Sequence, residues 1–569
     1  MSETTGLDRL WHADASTLAH AVKRVPVAWL ASVAAVGIGI MLRLVEFLKN
    51  RSLSQDEAHL ALNIMNRSFD RLFGQLDFNQ AAPQAFLAVQ KTMVEASGES
   101  EYSLRLLPFL AGTLALVLLP FLARGVVSAP AVPLAVALFA LSDPLIYYTT
   151  SSKQYAVDVL IATIVLLVGF RFGDRPYQAS AALGFAGVGA TAIWLSHSSV
   201  FVLAGVSAAL MAGSLTRRQW RRARNVAAAS GAWVVSFGVF FLTALDNVGG
   251  IQRTLSSTPG ALGVSGPGDA GVPDSELRTS LGAFRYVAGV PHFLERGSND
   301  AGAIIALVAG VFCIAGLVSL IAKRPENGLA LISPLVFMLI AWGLGDYPLL
   351  GRTQLFLAPI YVLLAAEGVV SLTRKARHRG VRMAVVVSAG IVGAALAAPA
   401  VANTVRPRAF HEMKPVLEYI AREELAGDTV YVYYTAQPQL RYYLECGCAG
   451  SRFEAAQDAG LWPLRPGRGG PGQWAPALRS VPPRIIVAQD RGIDPSSYIS
   501  DLDSLRGRKR VWVLLPAIDQ SARTTFLREL DRRGVRRATF GVGDVGESKS
   551  AVVVYLYDMT KPTSKPAAP

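Results

Sequence analysis

The chain has 569 residues, 52% hydrophobic and 17% charged, with a net charge of +14, and its mean hydropathy is positive. These proportions lie outside the range of an ordinary soluble enzyme and predict a multispanning membrane protein. They also argue against a nucleic-acid partner, which would need basic residues gathered on one soluble face and interleaved with aromatics, whereas here the basic clusters are scattered over separate short segments.

In chain order, a polar stretch that includes Lys23 and Arg24 precedes the first apolar run. That run is too long for a signal-peptide core and no small-residue cleavage site follows it, so it reads as an uncleaved anchor. Apolar runs of roughly 17 to 25 residues can cross a bilayer as helices. About eleven occur, near 27–47, 105–123, 131–148, 155–170, 179–195, 198–214, 226–244, 301–321, 328–345, 353–370 and 381–401. The two runs meeting at Trp194-Leu195-Ser196-His197 read as two short spans or one long one, and charge separates these readings. With a cytoplasmic N-terminus and two separate spans, the inside loops hold Arg171 and Arg175, then Arg217, Arg218, Arg221, Arg222 and Arg224, then Lys323 and Arg324, then Arg374, Lys375, Arg377, Arg379 and Arg382. Every dense basic cluster then falls inside, and merging the two spans would move the later ones outside.

Three large pieces face outside under this topology: 48–104, 245–300 and everything after about 404. The first carries Asp56-Glu57-Ala58-His59 and two amphipathic stretches, Leu60–Phe73 and Pro83–Val94, suited to helices lying at the interface. The second is rich in Gly, Pro and Ser over Thr258–Pro273, a lid or a plain connector. The third alternates strand-like runs at Thr429–Tyr434, Arg484–Ala488, Arg510–Leu515 and Ala551–Tyr557 with helical patterns at Glu412–Leu425, Gln437–Leu444 and Ser521–Arg533, as in a small α/β domain. Gly541-Val542-Gly543-Asp544-Val545-Gly546 matches GxGxxG formally, but no clear strand precedes it and a strand follows, so it reads as a turn. Asp501-Leu502-Asp503 reads as surface, and the sequons at Asn50 and Asn66 are of a kind that arises by chance. Of three cysteines, Cys313 reads as packing within a span; Cys446-Gly447-Cys448 forms either a local disulfide or a thiol pair, without the companion residues a metal site needs.

Asp56-Glu57 opens a helical pattern, where a carboxylate either caps the helix or serves chemistry. A hydroxyl acceptor is a poor nucleophile at neutral pH, and a positioned carboxylate can take its proton. A departing phosphate asks for the opposite charge. Lys153, in the junction Tyr147-Tyr148-Thr149-Thr150-Ser151-Ser152-Lys153-Gln154-Tyr155-Ala156-Val157-Asp158, either contacts such a phosphate or anchors to headgroups. Arg352 stands at the outer start of the tenth span, against the inside bias, and needs an anionic partner; His197 either bonds a phosphate or caps its helix. Arg105 and Glu367 lie near or within spans, where ionisable groups are costly and usually paired.

The order of these pieces resembles the GT-C membrane glycosyltransferases. It comprises the Asp-Glu pair in the first outer loop, Glu101-Tyr102-Ser103-Leu104-Arg105-Leu106-Leu107-Pro108 entering the second span, the Tyr-Tyr…Lys-Gln-Tyr…Asp junction, the Leu-Ser-His turn and the Gly-Arg…Leu-Phe-Leu-Ala-Pro span. The likeness covers roughly 27–400 and is nearest to the bacterial branch related to protein O-mannosyltransferases and the lipid A aminoarabinose transferase (glycosyltransferase family 39-like). With the apolar runs and the strand and helix patterns above, the expected fold is polytopic α-helical and GT-C-like, about eleven transmembrane helices carrying a C-terminal extracytoplasmic α/β domain. The expected parts are a cytoplasmic tail over 1–26, a catalytic domain over 27–403 and the α/β domain over 404–569.

The resemblance also implies a polyprenyl-phosphate-linked sugar donor, hexosyl or pentosyl, used on the outer face with inversion, and a glycan, lipid or protein acceptor of the cell envelope. Asp56 would be the base, Glu57 would support the acceptor side, and Lys153 and Arg352 would meet the donor phosphate, with Tyr155, Asp158 and His197 completing the substrate site. Two features depart from the pattern. Ala81-Ala82-Pro83-Gln84 stands where relatives often carry His-Pro-Pro-Leu, and Ser151 and Ser152 stand where an acidic residue often precedes the lysine. No metal or other cofactor is therefore expected, with a divalent cation left open. The readings from other classes are a non-catalytic translocase of lipid-linked sugars, which would place ionisable residues deep in several spans and show an internal repeat, and a catalytically dead scaffold. Neither the sugar nor the acceptor is named by any motif.

Overall fold

A computed structural model describes residues 27–174, 178–257, 300–344, 347, 351–405, 411–425, 427–446, 485–488, 495–516, 518, 520–542 and 551–560. The 258–273 stretch, Cys448 and Gly543–Gly546 lie outside them. Nine described helices are long and apolar enough to cross a membrane, as in a multi-pass membrane protein: Val27–Leu48, Glu101–Val126, Tyr155–Asp174, Ser199–Thr216, Trp220–Thr243, Ile304–Lys323, Pro325–Gly343, Arg352–Lys375 and Arg379–Val405. A bent pair, Ala131–Leu141 with Asp143–Thr149, and the shorter Ala179–Leu195 occupy the two remaining expected positions. Ala179–Leu195 and Ser199–Thr216 are separate helices, with the break at the Ser196-His197-Ser198 turn. Large apolar side chains stay exposed on the spanning helices, among them Ile38, Leu110, Val235, Ile304 and Val387, as lipid contact requires.

We label the helices of the first part of the chain α1 (Val27–Leu48), α2 (Gln55–Asn66), α3 (Gln84–Ser97), α4 (Glu101–Val126), α5 (Ala131–Leu141), α6 (Asp143–Thr149) and α7 (Tyr155–Asp174). The expected single span over 131–148 is broken between α5 and α6 by 54°. Pro144 at the start of α6 cannot donate back to the preceding turn, so the helix restarts. The break leaves carbonyls of α5 without helical partners, and the fully buried Arg43 of α1 donates to Ala140 O at 3.1 Å and Phe139 O at 3.4 Å. Gly112 of α4 lets α6 come close: a Cβ there would lie 2.4 Å from Thr149 Oγ1. The broken span thus delivers the 150–154 turn to the end of the helices that carries α2.

The first amphipathic stretch is packed inward over its first turns, while Phe69 and Phe73 stay exposed. Leu60, Ala61, Leu62 and Ile64 of α2 are all buried, because α2 is enclosed between α3 and a helix of the C-terminal domain. The stretch is also not one helix; Arg67 ends α2 in extended conformation and a single turn, Phe69–Leu72, follows.

Beyond the last apolar helix come α8 (Lys414–Glu423), β1 (Thr429–Val432), α9 (Gln437–Glu445), β2 (Ile485–Val487), β3 (Val511–Leu515), α10 (Gln520–Arg533), β4 (Val535–Gly541) and β5 (Val553–Asp558). The sheet order is β2-β1-β3-β5-β4. Strands β2, β1 and β3 are parallel, and β5 and β4 add antiparallel. Central β3 is buried along its whole length, as its unbroken apolar run dictates. Strand β4 corrects the reading of GxGxxG: a strand does precede Gly541, but it pairs antiparallel with β5, so a hairpin stands where a dinucleotide fold would place a helix. Cys446 is disulfide-bonded, and Cys313 is a free thiol facing Tyr361 O at 3.7 Å.

Candidate functional site

Ser54 caps α2. Its hydroxyl accepts from Glu57 N while the Glu57 carboxylate accepts from Ser54 N at 2.9 Å, a reciprocal capping box. This turn fixes where the acidic pair points, because neighbours on a helix diverge by about 100°. Glu57 turns inward, and Asp56 turns outward.

Asp56 lies between two cations. Its Oδ1 accepts from Lys153 Nζ at 2.9 Å and its Oδ2 from Arg352 Nη1 at 3.0 Å. Lys153 comes from the turn between α6 and α7, and Arg352 from a 3-10 segment, Gly351–Leu357, that precedes the helix Ala358–Lys375. Burial alone would push the Asp56 carboxyl up, but Lys153 and Arg352 outweigh it and hold the group well below the usual carboxylate range. Lys153 is lowered by its own burial, with Asp56 opposing. The aspartate keeps 27% of its side chain exposed, against 7% for Lys153.

Glu57, expected on the acceptor side, has 1% exposure. Its Oε1 accepts from Ser152 N at 2.8 Å, and Arg105 and Arg51 stand 3.6 and 4.0 Å away. A carboxylate with no open face cannot meet an acceptor from there. Burial raises its pKa, but Arg105, Arg51 and two backbone N–H groups together hold it low. It ties α2 to the residue before Lys153, so the inward carboxylate places the cation that the outward carboxylate meets.

Tyr155 joins the cluster, its ring 5.8 Å below the Arg352 guanidinium and 5.2 Å from Tyr148. Asp158 lies one turn deeper on α7, facing Ser196 and Ser198. His197 does not join. It is exposed in the turn, its ring 5.5 Å from Phe240, and among the described residues no contact links it to Asp56, Lys153 or Arg352.

Gln80 carried no mark in the sequence, yet its Oε1 accepts from Lys153 Nζ at 2.5 Å. It follows Phe78, a non-glycine residue at φ 60° whose ring stacks on His59 at 4.6 Å. Left-handed backbone at a bulky residue is strained, and it is held here by packing beside a charged cluster. Burial lowers the His59 pKa to about 4 despite nearby Asp56, so the imidazole is neutral at pH 7.

Among the described residues no group of three or more His, Cys, Asp or Glu is placed to hold a metal ion. The donor set itself argues the same way. Both Asp56 oxygens face cations, and Ser151 and Ser152 supply no second carboxylate. In this arrangement Asp56 offers a dication no oxygen free of a neighbouring cation.

No family model matches the sequence, and no curated protein matches it. Among solved structures the chain is similar to ArnT from Cupriavidus metallidurans bound to undecaprenyl phosphate, at 13% identity and a TM-score of 0.48, covering 96% of this chain and 100% of that one. It is also similar to the Archaeoglobus fulgidus oligosaccharyltransferase in complex with zinc and sulfate, at 12% identity and a TM-score of 0.45, covering 93% of this chain and 73% of that one. A further similar structure is the oligosaccharyltransferase AglB of the same archaeon with an inhibitory peptide and a dolichol phosphate, at 12% identity and a TM-score of 0.44, covering 94% and 74%.

Proposed function

We propose that the chain is an inverting membrane glycosyltransferase that moves a sugar from a polyprenyl-phosphate donor to a hydroxyl of a cell-envelope acceptor at the outer face. The observation that carries this reading is Asp56 held between Lys153 and Arg352, residues 97 and 296 positions away in the chain. A partly open carboxylate and two cations at the outer helix ends supply the two charges the reaction needs.

The acceptor oxygen attacks the anomeric carbon as the bond from that carbon to the phosphate oxygen breaks. The electron pair leaves with the phosphate, and the acceptor proton passes to Asp56. Asp56 is a weak base while both cations hold it. As the donor phosphate draws Lys153 and Arg352 towards itself, Asp56 loses its partners and its basicity rises. Gln80 accepts from Lys153 beside Asp56 before the donor arrives, and Glu57 positions the turn that carries the lysine. Tyr155 forms the floor beneath Arg352. The cations of the chain do the work a metal would otherwise do.

In this reading 27–403 form the catalytic domain and 404–569 an extracytoplasmic domain, with the 1–26 tail in the cytoplasm. Supporting it, the Asp56 cluster and the C-terminal domain share one end of the helices, while Arg222–Glu326 and Lys323–Glu367 pair at the opposite, basic end. The test is release of free polyprenyl phosphate from labelled donors by the purified chain in lipid, with envelope extract as acceptor. Acceptor-dependent release supports the reading. Intact donor that moves between leaflets would replace it with a translocase.

A further inference from the structure

The segment that carries Asp56 is gripped from the far end of the chain. Residues 50–54 join α1 to α2 without regular structure, so their backbone groups need partners elsewhere. Leu53 N donates to the Tyr443 hydroxyl oxygen at 2.7 Å, and Leu53 O accepts from Gln439 Nε2 at 2.7 Å. One residue earlier, Ser52 N and Ser52 Oγ both donate to Glu412, at 3.2 and 3.0 Å, and Lys414 N donates to Ser52 Oγ at 3.0 Å. From the membrane side Arg105 donates to Arg51 O at 2.6 Å and Ser52 O at 3.2 Å. Leu53, Gln439 and Tyr443 are each 0% exposed, so water cannot replace a lost partner.

Gln439 and Tyr443 lie one turn apart on α9, which follows β1 after a single 3-10 turn, Tyr434–Ala436. The sheet therefore sets the helix, and the helix presents a donor and an acceptor to one residue. Leu53 immediately precedes the cap of α2, and Asp56 is the second residue of that helix. A slip of the cap would swing Asp56 relative to two cations rooted in other segments, and a misplacement of about 1 Å can cost about 100-fold in rate.

We propose that Tyr443 and Gln439 are positioning residues through which the C-terminal α/β domain sets the place of Asp56. The domain is then a working part of the centre. This rests on the reading of Asp56 as the base. Not every bond across this contact has that leverage: Asn66 Nδ2 donates to Glu445 at 2.8 Å, but at the far end of α2.

The experiment uses the full chain in lipid and compares wild type with Tyr443→Phe, Gln439→Leu, their combination, and Asn66→Ala. Expected is a fall in kcat of about tenfold for each clamp variant, the size of one buried hydrogen bond, with donor KM within about twofold. Asn66→Ala is expected to keep kcat. Amide hydrogen exchange gives a second readout that needs no turnover: exchange at Leu53–Glu57 should accelerate in Tyr443→Phe and not in Asn66→Ala. Unchanged kcat in the combined variant, an equal fall in Asn66→Ala, or unchanged exchange at Leu53–Glu57 would each overturn the clamp. A wild type that releases no polyprenyl phosphate while its exchange responds as expected would instead remove the transferase reading and leave the clamp standing as a structural one.

Discussion

Two carboxylates in this protein share one charge pattern and differ in everything around it. Asp56 and Glu326 both stand in the first turn of a helix, and each meets two cations: Lys153 and Arg352 for Asp56, Arg222 and Arg217 for Glu326. Both cations of Glu326 come from one short stretch, 217–222, at the start of the helix Trp220–Ser257, and a Cβ on Gly213 would lie 2.5 Å from Glu326 Oε2, so Glu326 sits tight against its neighbour helix with the Arg217 side open to solvent. The cations of Asp56 come from two distant junctions, and a glutamine, two tyrosines and a strained turn surround them. An ion triplet alone therefore says nothing of chemistry. Convergence from separate segments, partial access and neighbouring polar groups do.

The comparison breaks most visibly at Asp56. Asp56→Asn should lower acceptor-dependent release of polyprenyl phosphate by about 1,000-fold, within the range of a lost general base, while donor binding persists. Lys153→Met and Arg352→Met come next. Each should lower kcat by about 100-fold and also raise the donor KM, since the same cation meets the phosphate before and during departure; steady-state kinetics with labelled donor would show both.

Glu57→Ala tests the inward partner and should act on folding. Removing it leaves two buried guanidinium groups facing each other, a loss of about 3 kcal/mol, seen as a lower melting temperature in detergent. The pH sign follows from its depressed pKa: the stabilisation by Glu57 is present above the ordinary carboxylate pKa and is lost as pH falls below it. Smallest is Glu326→Gln, expected to cost about 1 kcal/mol in the same melt and to leave turnover within about twofold. A large loss of turnover there, with unchanged melting, would erase the distinction between the two triplets.

The membrane architecture was legible because long apolar runs and basic loops are strong signals, and even the break at the Leu-Ser-His turn followed from charge. Asp56, Lys153, Tyr155 and Arg352 were legible because ionisable and aromatic residues at helix ends stand out against apolar sequence. The inward turn of Glu57 was readable too, in the Ser54-x-x-Glu57 capping signature, but adjacency in the chain suggested a shared role that helix geometry forbids. Gln80 was hidden because a neutral amide in a loop has no signature until the fold brings Lys153 to it. Gln439 and Tyr443 were hidden for a related reason: they recognise the backbone of Leu53, and backbone recognition leaves no mark on the partner sequence. Strand β4 escaped because Arg536 and Arg537 interrupt its alternation, where the structure has an irregularity between Arg536 and Ala538.

The central claim is that Asp56 takes the acceptor proton while Lys153 and Arg352 receive the phosphate. The most direct test is single-turnover release of polyprenyl phosphate, with donor bound in excess of enzyme sites excluded, by wild type and Asp56→Asn in the same lipid. The expected result is equal donor binding by both proteins with release only from the wild type. Equal release by both would contradict the claim and return Asp56 to the structural role that Glu326 has at the other end of the helices.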